Sequence, residues 1–345
     1  MDKRKLILSV AGSGKTSLVI RSLSLTQRAL IVTYTDNNVS NIKQSITAKF
    51  GFIPQNFVIM SYFHFLYSFC FKPFLSLQYK SHGIDYQQGH RNNNIPKTSP
   101  DYYMSRNGYL YSERLADLII NGCLTDVNER IDKYFDNFYV DEVQDFAGYD
   151  FDLLLKISLN TCKMLLVGDF YQHTFDTSRS GTKNKSLHEN YTAYCKRFSD
   201  SNYSIDTTTL SRSFRCSPEV CDFVQSRLGI CIESNNIPGS SVVQEINNQE
   251  EIKRIMEDNG IVKLFYWKSK DYNCRALNWG DSKGVDDFID VCVVLNNKTA
   301  NKYDTNKLNE LSSLTKNKLY VAFTRAHANV YIVRESDIKD YKITT

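Results

Sequence analysis

The chain has 345 residues and a formal net charge of +4 at neutral pH. This length predicts about two domains, and a content of 42% hydrophobic and 13% aromatic residues excludes a disordered chain. No apolar run approaches the roughly 18 residues of a membrane-spanning helix, so we expect no membrane segment. The small positive charge is compatible with nucleic-acid binding but is too weak to indicate it.

The cysteine pattern bears on metal sites and on cellular location. The chain contains nine cysteines, and no two of them have the C-x-x-C spacing typical of zinc sites. The six histidines are scattered and form no ligand cluster in the sequence. The first apolar run is three residues long, which is too short for a secretory signal. We therefore expect reduced thiols, a cytoplasmic location and no structural metal.

Short apolar runs alternate with helical patterns along the chain, as is typical of strands buried in a parallel sheet. The sequence predicts strands at 6–10, 29–33, 138–140, 164–167, 262–267, 291–295 and 330–333, and helices near 16–25, 217–228 and 248–258. This alternation predicts two α/β units. The polar stretch 80–108 predicts a surface insertion, and the polar stretch 176–206 predicts a loop that links the units.

The first functional motif is a loop of small residues that follows a predicted strand and precedes a predicted helix. It reads Ala11-Gly12-Ser13-Gly14-Lys15-Thr16. Glycines allow backbone N–H groups to turn around an anion, while Lys15 would neutralise phosphates and the Thr16 hydroxyl would hold Mg²⁺. The strict pattern has a glycine where this chain has Ser9. The context nevertheless predicts a nucleotide-binding loop rather than a chance glycine turn.

The second functional motif places acids at the end of an apolar strand. It reads Phe138-Tyr139-Val140-Asp141-Glu142-Val143-Gln144-Asp145. Asp141 would hold Mg²⁺, largely through water, and Glu142 would polarise an attacking water molecule. A solvated acidic strand end is the alternative, and the phosphate loop upstream makes it the weaker one.

Together the two motifs resemble the UvrD/Rep/PcrA group of superfamily 1 DNA helicases. Five further segments agree with that family in their order, at 33–37, 62–64, 167–172, 210–215 and 320–326. The resemblance spans residue 6 to about 333. It implies an α/β fold of two RecA-like P-loop domains with parallel sheets, with ATP in the cleft between them and a short insertion in the first domain.

The resemblance also assigns roles to individual residues. The expected catalytic residues are Lys15, Glu142, the γ-phosphate sensor Gln172, and two arginine fingers, Arg215 and Arg325. The residues expected to bind nucleotide and Mg²⁺ are Ala11, Gly12, Ser13, Gly14, Lys15, Thr16, Asp141 and the adenine-stacking Phe214. Either Asp286 or Asp287 is also expected to bind the nucleotide, in the segment 281–288, which matches its family motif less closely. The expected DNA contacts are Thr33, Tyr34, Thr35, Asn37, Phe63, His64, Phe175, Ser282 and Lys283.

Three departures from the family pattern matter. Only five residues precede Leu6, so we expect the segment that reads the adenine edge to be missing. Thr177 replaces the aromatic residue that usually stacks on a DNA base, so Phe175 or Tyr171 would have to serve. About 60 residues lie between positions 216 and 278, where the family has a large accessory subdomain. The sequence therefore predicts a nearly minimal two-domain motor.

The aromatic stretch 62–79 leaves two interpretations open. It could form a stacking platform for bases, or it could supply core packing or a partner-facing patch, which we favour. Period-two spacing over 63–71 hints at a strand, although the family has a helix here. The eight aromatic residues are Tyr62, Phe63, Phe65, Tyr67, Phe69, Phe71, Phe74 and Tyr79.

The domain and function hypotheses follow from these motifs. We expect a first motor domain at 1–65 and 135–205, a small insertion at 66–134, and a second motor domain at 206–345. The leading hypothesis is an ATP- and Mg²⁺-dependent helicase or translocase on single-stranded DNA, 3′→5′ by resemblance, with RNA not excluded and with a protein partner or self-assembly. The alternative is a DNA-stimulated ATPase that senses DNA ends and regulates a nuclease in DNA repair or anti-phage defence. A small-molecule kinase would explain the phosphate loop but not the glutamines and arginines.

Overall fold

The structure is a computed structural model that describes residues 3–87, 94–175, 183–236, 239 and 241–343. The chain divides into two compact units. Unit 1 comprises Met1–Leu8, Lys15–Gly168 and Asp176–Asp206, and unit 2 comprises Ser9–Gly14, Asp169–Phe175 and Thr207–Thr345. Two short segments therefore belong with unit 2 although unit 1 flanks them on both sides in sequence.

Unit 1 is built on a parallel sheet of six strands, four of which are apolar runs predicted from the sequence. The strands of this unit are β1 (Arg4–Leu8), β2 (Ala29–Thr33), β3 (Phe57–Ser61), β4 (Gly83–Asp85), β5 (Tyr109–Tyr111), β6 (Asn137–Val140), β7 (Lys163–Gly168) and β8 (Ser204–Asp206). The main sheet has the order β3-β2-β6-β7-β1-β8, and β4 pairs with β5 separately. Strand β7 lies between β1 and β6, so the strand before the glycine loop and the strand before the acids are two places apart.

The helices of unit 1 follow the strands in alternation. They are α1 (Lys15–Ser22), α2 (Asp36–Phe50), α3 (Tyr62–His64), α4 (Lys72–Tyr79), α5 (Pro100–Tyr103), α6 (Ser112–Gly122), α7 (Leu124–Tyr134), α8 (Gly148–Lys156) and α9 (Tyr191–Ser199). The Thr35 side chain caps α2 by accepting the Asn38 N–H at 3.2 Å. This is the ordinary role of a threonine directly before a helix.

The aromatic stretch is helical, so the hint of a strand was wrong. A π-helical segment at Phe65–Phe71 connects α3 to α4. The period-two spacing misled because aromatic residues fill several sides of this segment, and Phe65 stacks on Phe69 at 5.5 Å between ring centroids. Most of the aromatic side chains are core residues rather than a stacking surface. Those that are buried are Tyr62, Phe65, Phe69, Phe71 and Tyr79.

The predicted loop at 176–206 was wrong over its second half. Residues 191–199 form α9, whose Tyr194 and Phe198 are buried, and β8 extends the main sheet by pairing with β1. The polar composition concealed these two elements because only a few apolar side chains anchor them. Residues 176–182, including Thr177, lie outside the described residues, as do residues 88–93 of the predicted insertion.

Unit 2 contains a second parallel sheet, with the order β11-β15-β14-β12-β13. Its strands are β9 (Arg212–Ser213), β10 (Glu233–Ser234), β11 (Val243–Glu245), β12 (Val262–Phe265), β13 (Ala276–Asn278), β14 (Val291–Leu295) and β15 (Val330–Arg334). Its helices are α10 (Pro218–Phe223), α11 (Gln249–Glu257), α12 (Asn297–Asp304) and α13 (Ser313–Phe323). A parallel sheet in each unit confirms the predicted α/β class, as expected of two RecA-like domains.

Two apolar cores lie against the sheet of unit 2. One core includes Trp279 and Tyr320 together with Val10 and Ala11 from the glycine loop. The other core includes Ile252, Ile255 and Met256 of α11. In the part of the chain that the structure describes, no helix combines the length and the apolar character needed to cross a membrane.

Candidate nucleotide and nucleic-acid sites

The glycine loop packs against the predicted arginine segment within unit 2. Gly12 has a φ of +69°, which favours glycine. A Cβ atom at Gly12 would lie 2.6 Å from Arg215 Cβ and 2.8 Å from Ser213 Oγ, so no larger residue fits there. The Phe214 N–H donates to the Gly12 carbonyl at 2.9 Å. The loop and Arg215 are therefore in direct contact.

A buried tyrosine connects the loop to two other motifs of unit 2. The Ala11 N–H donates to the Tyr320 hydroxyl at 2.8 Å, and this hydroxyl donates to Asp169 Oδ2 at 3.1 Å. Burial and the nearby Asp169 carboxylate raise the pKa of Tyr320 well above its usual value, so the proton stays on the hydroxyl. Sequence reasoning missed Tyr320. The available signal was its place in the arginine-bearing segment 320–326.

The acidic site lies in unit 1 at the carboxyl end of β6. The Thr16 hydroxyl donates to Asp141 Oδ2 at 2.9 Å, and Asp141 Oδ1 accepts the Glu142 N–H at 2.9 Å. Burial raises the pKa of Asp141 to about 6, and the charge of Glu142 adds to the rise. The threonine and aspartate oxygens are donors of the kind that Mg²⁺ prefers, and a divalent cation would compensate the two crowded carboxylates. The residues present therefore fit Mg²⁺.

A glutamine orients the carboxylate of Glu142. Gln144 Nε2 donates to Glu142 Oε2, and Glu142 itself adopts a left-handed φ of +58°. Gly168, the last residue of β7, allows this turn to approach the sheet, because a Cβ atom there would lie 2.6 Å from Val143 Cγ1. Gln144 belongs to the acidic motif but was not among the predicted site residues.

The structure distinguishes the two candidate acids of segment 281–288. Arg215 Nε donates to Asp286 Oδ1, and Arg215 Nη1 donates to the Thr324 carbonyl at 3.3 Å. His327 Nε2 lies 3.2 Å from the same Asp286 oxygen. Burial by itself would raise the pKa of Asp286, but the hydrogen bond and charge of Arg215 outweigh it and lower the pKa. Asp286 and Asp287 are both exposed, and the ion pair of Asp286 with Arg215 distinguishes the two.

Arg325 is buried in the same unit. Its Nε donates to the Val321 carbonyl at 3.3 Å, and its Nη1 donates to the Val285 carbonyl at 3.2 Å. Burial lowers the pKa of Arg325 to about 10, and the charge of Arg215 contributes. Arg325 and Arg215 are thus close enough to influence each other, and the carboxylate of Asp286 partly offsets the repulsion between the two guanidinium groups.

The other predicted nucleotide residues differ in exposure. Lys15 is the first residue of α1 and is buried. Gln172 is buried at the end of a 3-10 turn over Phe170–Gln172. By contrast, the side chain of Phe214 is 60% exposed and that of Phe175 is 46% exposed. The rings of Phe214 and Phe175 are therefore accessible for stacking.

The predicted DNA-contact residues at the end of β2 have mixed environments. Thr33 is fully buried, and its hydroxyl has no partner among the described residues. The ring of Tyr34 stacks on that of Tyr62 at 5.9 Å, while Thr35 is occupied in capping α2. Asn37 is exposed. The contact roles of these residues stay predictions.

The remaining predicted DNA contacts lie in both units. Phe63 is partly exposed and meets the ring of Tyr86 edge-on at 5.2 Å, and His64 is exposed. Ser282 is fully buried and donates to the Trp279 carbonyl at 2.7 Å, so its hydroxyl already has a structural partner. Lys283 is partly exposed.

The predicted residues thus form two groups, one in each unit. The unit 1 group combines a lysine, a hydroxyl and two acids: Lys15, Thr16, Asp141 and Glu142. The unit 2 group combines the loop backbone with glutamine, aromatic and arginine side chains: Ala11, Gly12, Ser13, Gly14, Gln172, Phe214, Arg215, Asp286 and Arg325.

No protein-family model matches the chain, and neither does any curated protein. Solved structures similar to the chain include the helicase of PRRSV, with a TM-score of 0.48 and 14% identity over 99% of this chain and 54% of that one. Arterivirus nonstructural protein 10, a helicase, matches as a complex with DNA, with a TM-score of 0.48 and 16% identity over 95% of this chain and 60% of that one. A further crystal structure of the same protein gives a TM-score of 0.45 and 15% identity over 95% and 59%. The chain spans between half and two thirds of these proteins.

Proposed function

We propose that this chain is an ATP-driven translocase of the UvrD type, which hydrolyses ATP to move 3′→5′ on single-stranded DNA. The observation that carries the proposal is the direct packing of Gly12 against Arg215, with the Phe214 N–H bonded to the Gly12 carbonyl. An arginine beside a phosphate-binding loop can stabilise the charge that develops during phosphoryl transfer. A simple nucleotide-binding fold does not require this contact.

The proposed chemistry is carried out by three cationic side chains and one general base. Lys15 neutralises the β- and γ-phosphates, and Arg215 and Arg325 compensate the charge that moves to the leaving oxygen. Glu142, oriented by its hydrogen bond from Gln144, accepts the proton of the attacking water.

Mg²⁺ would be held by Thr16 and Asp141, largely through water. When bound, it neutralises the phosphate oxygens of ATP. The hydrogen bond from the Thr16 hydroxyl to Asp141 Oδ2 holds these two oxygen donors beside each other.

The proposed strand path uses one exposed and one partly exposed aromatic ring. Phe63 and Phe175 offer ring faces on which bases of any identity can stack, and Asn37 and His64 add polar contacts. Phe214 would stack in the same way on the adenine of ATP.

One assay tests the proposal. ATP hydrolysis should rise by tenfold or more when single-stranded DNA is added, and RNA of equal length measures the preference between the two. The Glu142→Gln variant is the control for contaminating ATPase. Turnover that no nucleic acid changes would contradict the proposal.

Strand displacement on duplexes of different length separates the translocase from a regulatory ATPase. Opening a duplex costs about 1.4 kcal/mol per base-pair step, and the stretch 216–278 is too short for a large accessory subdomain. We expect slow opening of a duplex of about 20 base pairs and none of about 100 base pairs. Stimulated hydrolysis without any opening would favour the DNA-end sensor that regulates a nuclease.

A further inference from the structure

The hydroxyl of Tyr320 lies where three segments of unit 2 meet. Tyr320 is fully buried in α13, and its ring meets that of Tyr171 edge-on at 6.0 Å between ring centroids. The hydroxyl accepts the Ala11 N–H at 2.8 Å and donates to Asp169 Oδ2 at 3.1 Å. A hydroxyl that accepts one hydrogen bond and donates another fixes both partners at once, and a phenylalanine ring could form neither bond.

On the side of the glycine loop, this hydroxyl anchors a backbone group. The N–H groups of a phosphate-binding loop turn inward around the anion. The Ala11 N–H is instead directed at the Tyr320 hydroxyl, and Ala11 is fully buried in the same apolar core as Tyr320. The first residue of the glycine motif is therefore held by α13 through its backbone.

On the other side, the hydroxyl reaches the turn that carries the predicted γ-phosphate sensor. Asp169 is fully buried and precedes the 3-10 turn Phe170–Gln172. Its Oδ1 accepts the Tyr171 N–H at 3.1 Å, and its carbonyl accepts the Gln172 N–H at 2.9 Å. Asp169 thus caps the turn with one carboxylate oxygen and bonds Tyr320 with the other. A shift of the Tyr320 hydroxyl would therefore be passed to Gln172.

Helix α13 contacts further site segments on either side of Tyr320. One turn earlier, Asn317 Nδ2 donates to the His173 carbonyl at 3.1 Å. One turn later, the carbonyl of Thr324, which directly follows α13, accepts from Arg215 Nη1 at 3.3 Å. Tyr320 is thus central in a helix that bonds the sensor segment, the glycine loop and a predicted arginine finger.

Packing alone does not account for the hydroxyl of Tyr320. The ring lies in an apolar core, where phenylalanine would fill nearly the same space. A fully buried carboxylate such as Asp169 costs stability unless it is paired, and an apolar pair in place of Asp169 and the hydroxyl can be neutral or stabilising. The polar pair between two site segments therefore indicates a role beyond stability.

We propose that Tyr320 is a positioning residue for ATP hydrolysis, whose hydroxyl holds the glycine loop and the Gln172 turn in the mutual position that the reaction requires. It acts through Ala11 and Asp169. This inference rests on the proposed function and adds a residue to the same site. Because Gln172 is expected to contact the γ-phosphate, which is the group transferred, the effect belongs to the transition state rather than to nucleotide binding.

The Tyr320→Phe variant, which removes the hydroxyl and keeps the ring, tests this role in the presence of single-stranded DNA. The kcat for ATP should fall about 10²-fold, the scale of a misplacement of about 1 Å. The Kd for ADP should change by less than about threefold, whereas ADP with aluminium fluoride, which mimics the transferring phosphoryl group, should bind about 10²-fold more weakly. Equal loss of affinity for both ligands, or a fall in melting temperature alone, would overturn the positioning role.

Tyr272 provides the matched control within unit 2. It is 6% exposed, and its hydroxyl also donates to a carboxylate, Glu335 Oε1, at 2.8 Å. Tyr272→Phe should lower the melting temperature but leave kcat and the affinity for ADP with aluminium fluoride at the parent values. A tenfold fall of kcat in this control would show that loss of any buried tyrosine hydroxyl slows the reaction, and would also overturn the role.

A double-mutant cycle tests whether Tyr320 acts through Asp169. The amide of Asp169→Asn has one oxygen for the two hydrogen bonds that the carboxylate accepts, so kcat should fall again. The double variant should be no slower than the slower single variant, because residues that act as a unit are not additive. Effects that multiply in the double variant would refute the link between Tyr320 and Asp169. Asp169→Asn supplies the same ligand-affinity test if Tyr320→Phe does not fold.

Failure of this inference is distinguishable from failure of the proposed function. A parent protein whose ATP hydrolysis no nucleic acid changes would refute the proposed function. Strand-stimulated hydrolysis in the parent together with a parent-like kcat in Tyr320→Phe would overturn the positioning role alone.

Discussion

Replacing Gly12 by alanine tests the contact between the glycine loop and Arg215. The φ of +69° would cost alanine about 1–2 kcal/mol. The new Cβ atom would also lie 2.6 Å from Arg215 Cβ and 2.8 Å from Ser213 Oγ, and overpacking of this kind costs about 1–3 kcal/mol. We therefore expect Gly12→Ala to lower the free energy of unfolding by about 2–5 kcal/mol.

Gly229 provides the matched control in the same unit. It also has a left-handed φ, of +66°, but an added Cβ atom would make only an ordinary contact of 3.7 Å with Asn309 Cβ. Gly229→Ala should therefore cost only the backbone strain, about 1–2 kcal/mol. Urea unfolding of the two variants separates the overlap at Gly12 from the strain that both share.

The overlap at Gly12 should also slow ATP hydrolysis. The new methyl group can be accommodated only if Arg215 moves, and a displacement of about 1 Å at a reacting site costs on the order of 10²-fold in rate. Gly12→Ala should hydrolyse ATP about 10²-fold more slowly at a temperature where it is folded, while Gly229→Ala keeps the parent rate. Equal stability and equal turnover in the two variants would refute the packing argument.

Four further outcomes are expected from single substitutions. Lys15→Ala should abolish ATP binding, whereas Glu142→Gln should keep binding but lose hydrolysis; equal loss of affinity in both would show that Glu142 is not the base. Arg325→Ala should slow hydrolysis about 10³-fold with little change in ATP affinity, as measured by single-turnover kinetics and nucleotide binding. Phe214→Ala should raise KM for ATP and GTP by the same factor, because ring stacking does not read base identity; a selective effect on ATP would exclude this role. Burial raises the pKa of Asp150 to about 7, so folding takes up a proton and the free energy of unfolding falls as pH rises from about 4 to 7, by up to about 4 kcal/mol. Asp150→Asn should flatten that dependence in urea unfolding across pH 4–8, and an unchanged slope would contradict it.

Seven strands of the two main sheets were predictable because their side chains are mostly apolar, whereas β3, β8, β11 and β13 were not predicted. The run at 29–33 is buried at every position, and the run at 291–295 is buried likewise, so composition alone located them. Boundaries were less certain. The strand predicted at 6–10 ends at Leu8, since residues 9–14 turn into the glycine loop and group with unit 2.

The predictions for the aromatic stretch 62–79 and for the polar stretch 176–206 were wrong for opposite reasons. In 62–79 apolar residues were so dense that they suggested a false period, while the actual segment includes a π-helical turn. In 191–206 apolar residues were so sparse that α9 and β8 were concealed, although Tyr194 and Phe198 suffice to anchor the helix. Local composition cannot reveal which neighbours a side chain will meet.

The candidate sites also contain some residues that the sequence could identify and others that it could not. The glycine loop and the acidic motif were recognisable because their residues directly follow apolar strands. Lys15 and Thr16 lie at the start of the helix after a strand, and Asp141 and Glu142 lie at the end of a strand. The partner of Arg215 was not recognisable, because Asp286 and Asp287 are neighbours in sequence. Only the folded chain brings one of them, Asp286, to the guanidinium group.

The bond between the Ala11 N–H and the Tyr320 hydroxyl has a consequence for synthesis on the ribosome. Residue 320 is synthesised 309 residues after residue 11, so this hydrogen bond cannot form until all of the intervening residues have been added. Val10 and Ala11 likewise belong to a core that includes Val330 and Ile332, which are synthesised after residue 320. A nascent chain that has not reached residue 320, or a chain truncated before it, therefore leaves the glycine loop without its tyrosine partner.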